Sequence, residues 1–160
     1  MSSIINYSQI DNKATITISV EFSRSMMDSE CAIQEALNKA GCVLTGKALE
    51  HLDTDGTPIK IGKQKFTSKG KVEKEYETLY GKQSVKRHVY QSSEGGNIFC
   101  PMEFEARIVG STTPWFANIL GFKFANTSVS GVAKDLEIGH RRHISDDCIY
   151  ETAGCICGLM

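Results

Sequence analysis

Residues near one end of the chain have the spacing of a DNA-reading element. The stretch SGVAKDLEIGHRRHISDDCIY, residues 130–150, contains two helical patterns around a tight turn. Ser145 has the position of an N-cap, and two aspartates follow it in the first turn of the second helix. The pattern predicts a helix-turn-helix with a recognition helix from Ser145 to about Cys157. An ordinary helical hairpin that packs the protein together remains the alternative.

Basic residues are concentrated in the middle of the chain. Nine basic and three acidic residues lie between Lys60 and His88, a net charge of +6, whereas six acidic and two basic residues give residues 26–57 a net charge of −4. This asymmetry is typical of a local polyanion-binding surface, although lysines on a solvated sheet also limit aggregation at its edges. The residues predicted to contact DNA are Lys71, Lys74, Lys82, Lys86, Arg87, His88, Arg141, Arg142, His143 and Ser145.

Three tyrosines are interleaved with these bases. Tyr76, Tyr80 and Tyr90 have aromatic rings that can stack on nucleotides, and packing against lysine stems is the alternative.

The spacing of the residues gives little support for metal binding or catalysis. His140, His143, Cys148, Cys155 and Cys157 lie close in sequence, but they lack the regular pairs of a zinc finger. The chain has no glycine-rich phosphate loop and no nucleophile elbow. We therefore predict no metal, no cofactor and no enzymatic activity, with the six cysteines as reduced thiols.

Composition indicates a globular protein of one domain or two small ones. The chain has 160 residues, of which 41% are hydrophobic and 23% are charged. It has neither a signal-peptide pattern nor an apolar run of the roughly 20 residues that a membrane helix needs. We expect a cytoplasmic protein without a membrane partner.

The periodicities predict an α+β fold in three blocks. Residues 1–55 combine a strand at 14–22 with two helices, the first ending near Gly41. Residues 56–104 form a basic antiparallel β segment with a turn at Tyr80–Gly81. After this turn Lys82, Lys86 and His88 alternate with Val85 and Val89, which places the bases on the exposed side of the sheet. Residues 105–160 return to helix, with Thr112 or Thr113 as a cap before Pro114 and Ser128 or Ser130 as the cap of the next helix. The apolar and aromatic residues of 115–124 are predicted to lie in the core.

Two stretches of the chain together resemble the N-terminal half of bacterial insertion-sequence transposases of the ISKra group, a type common in cyanobacteria. The stretches are GKVEKEYETLYGKQSVKRHVYQSSEGGNIFCPME and TPWFANILGFKFANTSVSGVAKDLEIGHRRHIS. The residues that carry the resemblance are Gly81, Val85, Arg87, Val89, Tyr90, Gly95, Gly96, Pro101, Glu103, Val132, Ala133, Asp135, Leu136, His140, Arg142 and Ser145.

The resemblance implies a DNA-recognition segment that precedes an RNase H-like catalytic domain with three metal-binding carboxylates. Where many relatives carry a zinc ribbon, this chain has Ser92, Ser93 and Glu94. We expect a truncated transposase fragment that lacks the catalytic domain, binds double-stranded insertion-sequence ends and associates with the nucleoid. The alternatives are an interaction module that self-associates or inhibits full-length transposase, and a decayed remnant without a role.

Overall fold

The chain adopts an α+β fold, as predicted, with two small antiparallel sheets among the residues that the computed structural model describes, 3–158. One sheet has two strands and the other has three, in the order β3-β4-β5. The elements are β1 (Ser3–Ile10), β2 (Lys13–Ser19), α1 (Met26–His51), β3 (Ile59–Ile61), β4 (Gln64–Glu77), β5 (Lys82–Ser92), α2 (Pro101–Glu105), α3 (Pro114–Asn126), α4 (Val129–His140) and α5 (Asp146–Gly158).

The N-terminal strand predicted at 14–22 is present as β2 over Lys13–Ser19, and residues 20–22 lie outside it. β2 pairs with β1 in a hairpin that the sequence pattern does not predict. Asp11 has a positive φ of 52° in the tight turn between the two strands, a conformation that Asp tolerates better than most residues. No described side chain of the hairpin from residue 6 onward is fully buried. An isolated two-stranded hairpin is only marginally stable in water, so its contacts with α1 hold it in place.

The first block contains one long helix, and the predicted break near Gly41 is wrong. α1 is 26 residues long and begins after Ser25, whose side chain accepts a hydrogen bond from the amide of Asp28. Gly41 lies against the ring of Tyr80, since a Cβ atom there would be only 2.2 Å from the ring carbon Cγ. The glycine therefore permits close packing of the helix on the β4–β5 turn and does not end the helix.

Gly41→Ala is expected to destabilise the protein although alanine is the better helix former. We expect a loss of about 1–3 kcal/mol, the usual cost of overpacking, because the added methyl group would enter the Tyr80 ring. Gly154→Ala in α5 is the matched control, since nothing lies within 4 Å of where its Cβ atom would be, and it should stabilise by up to about 1 kcal/mol. Urea unfolding of both variants measures the difference, and equal effects would contradict the close packing.

The three-stranded sheet confirms the predicted hairpin and extends it. β4 and β5 pair antiparallel from Phe66–Ser92 to Glu77–Lys82, with an irregularity between Ser68 and Lys71. Val85 and Val89 are buried, whereas Lys82 and Lys86 are exposed, as the alternation predicts. β3 adds a short edge strand in which Lys60 lies opposite Lys65.

Two apolar clusters form the interior. The first joins α1 to the sheet and to α2, so the first two predicted blocks share one core. The second consists of side chains from α3, α4 and α5. The residues of the first cluster are Leu49, Tyr76, Val85, Cys100 and Met102, and those of the second are Phe116, Leu120, Val129, Val132, Leu136 and Ile149.

The helices of the third block begin where the sequence predicts. Thr113 precedes Pro114 at the start of α3, and the Ser128 side chain accepts a hydrogen bond from the backbone of α4. The prediction that Trp115 and Phe122 lie in the core is wrong, because they are 69% and 74% exposed. Helical periodicity places them on the face of α3 opposite the buried Phe116 and Leu120.

Candidate nucleic-acid interface

The predicted lysines of β4 and β5 lie at the surface, but most of them already have acidic partners. Lys82 lies between Glu75 and Glu77, with nitrogen–oxygen distances of 4.0 and 3.6 Å. Lys71 is 3.9 Å from Asp53. Lys86 is exposed and lies opposite Glu73 in the strand register. These pairs reduce the net field that the sequence charge of this segment predicts.

His88 is held by the segment that follows α1. Asp53 accepts hydrogen bonds from the His88 backbone amide, and the His88 ring nitrogen Nδ1 is 3.0 Å from the Asp53 carboxylate. Only 14% of the His88 side chain and 5% of the Asp53 side chain are exposed. His88 therefore fixes the end of α1 against the sheet and offers little surface to a ligand.

Arg87, a predicted DNA contact, lies inside the protein, where it is only 8% exposed. Its guanidinium donates to the Tyr76 hydroxyl at 2.9 Å and to the Val72 carbonyl at 2.8 Å, and it lies 3.4 Å from Glu103. The predicted DNA contact Lys74 also pairs with Glu103, at 2.9 Å. Arg87 and Lys74 thus belong to an internal polar network that fastens α2 to the sheet.

Glu103 is the acceptor of that network. Burial alone would raise the pKa of its carboxyl, but hydrogen bonds from Tyr76 and Lys74 and the charges of Lys74 and Arg87 hold that pKa below its ordinary 4.5. Burial and the Glu103 carboxylate raise the pKa of Tyr76, so the tyrosine hydroxyl stays protonated and donates.

Glu103→Gln is expected to lower the free energy of unfolding at pH 7 and to have less effect in acid. A carboxyl whose pKa is depressed by folding contributes stability above its unfolded pKa, and this contribution is lost as pH falls through the folded value. The gap between wild type and variant should therefore shrink between pH 5 and pH 3 in urea unfolding. A gap that stays constant over that range would contradict the ionised network.

Arg142, a second predicted DNA contact, is also internal. It is 5% exposed, donates from Nε to the Thr78 carbonyl at 3.0 Å, and pairs with the Glu77 carboxylate. Its guanidinium lies 5.5 Å from the centre of the Phe116 ring. The Arg142 side chain thus joins the β4–β5 turn to α3 and offers little surface to DNA.

The other predicted contacts near α5 have mixed surroundings. Arg141 ends α4 in the left-handed conformation and pairs with Glu35 of α1 at 2.8 Å. His143 is 88% exposed at its side chain, with Glu137 3.9 Å away. Ser145 accepts a hydrogen bond from the Cys148 amide at 3.3 Å, as expected of an N-cap.

The predicted recognition helix α5 presents an acidic surface. Its exposed side chains include Asp146, Asp147 and Glu151, and the helix contains no Lys, Arg or His. Carboxylates at a helix start repel phosphate, although one can accept a hydrogen bond from cytosine. α4 and α5 are joined by residues 141–145, and the helix-turn-helix arrangement stays a prediction.

Two of the three tyrosines predicted to stack on nucleotides are too deeply buried to do so in this fold. Tyr76 and Tyr90 are fully buried, and the Tyr90 hydroxyl donates to the Thr57 carbonyl at 3.0 Å. Lys74 lies 5.4 Å from the centre of the Tyr76 ring, which agrees with the alternative of packing against lysine stems. Tyr80 is 41% exposed, with its ring against Gly41.

Four lysines outside the predicted contact set form an exposed basic surface. Lys60, Lys63, Lys65 and Lys69, called here the lysine tip, are exposed on β3, β4 and the turn between them. None of the four has an ion pair with another residue of the described range 3–158. Lys60 lies directly opposite Lys65, a like-charge pair that destabilises a sheet unless an anion binds there.

The backbone at the lysine tip contains one turn and one strand irregularity, each with a glycine at positive φ. Gly62 has φ +62° between β3 and β4, and Gly70 has φ +96° at the irregularity in β4. Such an irregularity bends a strand and redirects its side chains. Lys69 therefore lies outside the regular ladder, in which residues 68 and 71 still pair with β5.

No protein-family model, curated protein or solved structure matches the chain.

Two further features of the described residues bear on the kind of site. Within residues 3–158, no group of three or more His, Cys, Asp or Glu side chains has the arrangement to hold a metal ion, and no helix is long and apolar enough to cross a membrane. The cysteines Cys42, Cys100 and Cys148 are partly or wholly buried, and burial raises the pKa of each thiol. These three thiols are therefore poor nucleophiles at neutral pH.

Proposed function

We propose that this chain is a DNA-binding segment of an insertion-sequence transposase and that its ligand is the double-stranded end of the element. The resemblance in the sequence supports the family, and the lysine tip supports the ligand. The single observation that carries the proposal is the set of four exposed lysines without ion pairs to residues 3–158, two of which face each other across β3 and β4.

A DNA backbone fits this surface for physical reasons. Duplex DNA carries one negative charge for about every 1.7 Å of its axis, so the four lysines of the lysine tip can contact several phosphates. Lysine ammonium groups act as flexible point charges, which suits backbone contact better than base reading. The lysine tip would then supply affinity and position, and sequence discrimination would come from other groups.

Fluorescence anisotropy tests the proposal with two labelled duplexes, the terminal repeat beside the coding sequence and a scrambled version. About four phosphate contacts give a slope near −3.6 in log K against log salt, so affinity should fall on the order of 100-fold between 50 and 200 mM salt. An affinity that does not change with salt concentration, or no binding to either duplex, would refute the proposal. Equal binding to both would limit it to backbone recognition.

A second candidate function is association with another protein chain, such as a full-length transposase. The observation that favours it is an apolar stripe on α3, where Trp115, Ile119 and Phe122 line a surface groove of about 410 Å³. Sedimentation at several concentrations tests this candidate, with Phe122→Lys as the disrupting variant. A wild-type chain that remains monomeric both alone and when mixed with full-length transposase would exclude it.

A further inference from the structure

A groove beside the lysine tip has the chemistry of a nucleobase site. It measures about 430 Å³, and the residues that line it include Phe66, Gln64, Asn97, Glu94, Gly95 and Gly96. An aromatic ring provides a stacking surface for any base, and planar amides can pair with the edge of a base. The volume falls within the roughly 300–1,000 Å³ of small-ligand sites.

The loop that forms one wall of the groove is held in place before any ligand binds. Ser93 donates its amide to the Lys65 carbonyl at 3.2 Å, and the Gln91 side chain donates to the Gly96 carbonyl at 2.8 Å. Gly95 has φ +85° and Gly96 φ +100°, and nothing lies within 4 Å of where their Cβ atoms would be. The bare backbone therefore leaves room for a flat ring to approach closely.

The Phe66 ring is supported from behind by other aromatic rings. Its centre is 6.2 Å from that of Phe99, which in turn is 6.3 Å from Phe104, both at tilted angles. Such contacts restrict the rotation of the ring that a base would meet.

We infer that this groove binds one unpaired nucleobase of a DNA strand, with Phe66 stacking on the base while the lysine tip binds phosphates of the duplex. The inference rests on the proposed DNA-binding function and deepens it, since it names unpaired bases at a DNA end as the preferred ligand. Gln64 and Asn97 can pair with the edge of the base, and the Glu94 carboxylate can accept a hydrogen bond from the N3–H of an unpaired thymine.

The test compares a blunt duplex with the same duplex carrying a three-thymidine 3′ overhang. Wild type should bind the overhang on the order of tenfold more tightly, the effect of one stacked base. Phe66→Leu should abolish that preference while leaving blunt-duplex binding unchanged, and Phe122→Leu, at an exposed phenylalanine of α3, is the matched control. The double variant Gln64→Ala with Asn97→Ala, at two exposed positions, should also reduce the preference for the overhang, although it changes no aromatic ring.

The outcomes separate the base site from the general DNA surface. Equal, salt-sensitive binding of blunt and overhang duplexes by wild type would overturn the base site and leave the proposed function standing. No binding to either would overturn both. Thymidine monophosphate at 1 mM should not displace the overhang, and displacement would show a free-nucleotide site instead. A photo-adduct from 5-iodouracil in the overhang is expected on Phe66, and adducts confined to other regions would contradict the inference.

Discussion

Arg142→Ala is expected to lower the free energy of unfolding by about 3–5 kcal/mol, the usual cost of removing one partner from a buried ion pair. The Glu77 carboxylate, only 11% exposed, would keep only the more distant Lys82 at 3.6 Å, and the Thr78 carbonyl would lose a hydrogen bond. The contact with the Phe116 ring would also be lost. Urea unfolding monitored by Trp115 fluorescence and by circular dichroism measures the change.

Arg141→Ala is the control for this prediction because the two arginines are neighbours in sequence. The Arg141 side chain is about half exposed and pairs with an equally exposed Glu35, so its removal should have only a small effect on unfolding. The double variant Arg142→Ala with Glu77→Ala should lose less stability than the sum of the two single variants. Equal stabilities of the two arginine variants would contradict the buried position of Arg142.

Local signals predicted much of the fold. The strand alternation around Val85 places apolar side chains inside and lysines outside, and the caps at Thr113, Ser128 and Ser145 start three helices where expected. Gly41 shows where such reasoning fails. The glycine is a helix breaker by propensity, but its contact with Tyr80, 39 residues later in the chain, decides its role.

The candidate site was harder to predict because formal charge does not show pairing. Arg87 and Lys65 each add one positive charge to the sequence total. In the structure, however, the charge of Arg87 is paired with Glu103, 16 residues away, and that of Arg142 with Glu77, 65 residues away. One feature of the sequence distinguishes the lysine tip from the basic residues that follow it. No acidic residue occurs between Pro58 and Val72, whereas three glutamates are interleaved with the later bases.

Seven of the sixteen residues that carry the family resemblance are buried in the interior. Val85, Tyr90 and Leu136 are buried apolar or aromatic positions, and Arg87 and Arg142 are buried ion-pair members. A pattern of this kind reports how the chain packs more directly than what its surface binds. The proposed ligand therefore depends on the lysine tip and not on these positions.

Replacement of Lys60, Lys63 and Lys65 by glutamine is expected to weaken binding to duplex DNA several-hundred-fold at 0.1 M salt. Each phosphate contact contributes roughly a factor of eight at that salt concentration through counterion release. The slope of log K against log salt should become less negative by about three. Anisotropy titrations at four salt concentrations measure both quantities on the same duplex.

The matched control replaces Lys47, Lys71 and Lys82 by glutamine, which removes the same three charges from lysines that already pair with Glu50, Asp53 and Glu77. Because net charge changes equally, a general electrostatic effect would weaken both variants alike, whereas the lysine tip predicts a large loss only in the first. Stability offers a second distinction. Removing the like-charge pair of Lys60 and Lys65 should leave the first variant at least as stable as wild type, so its loss of affinity cannot come from unfolding.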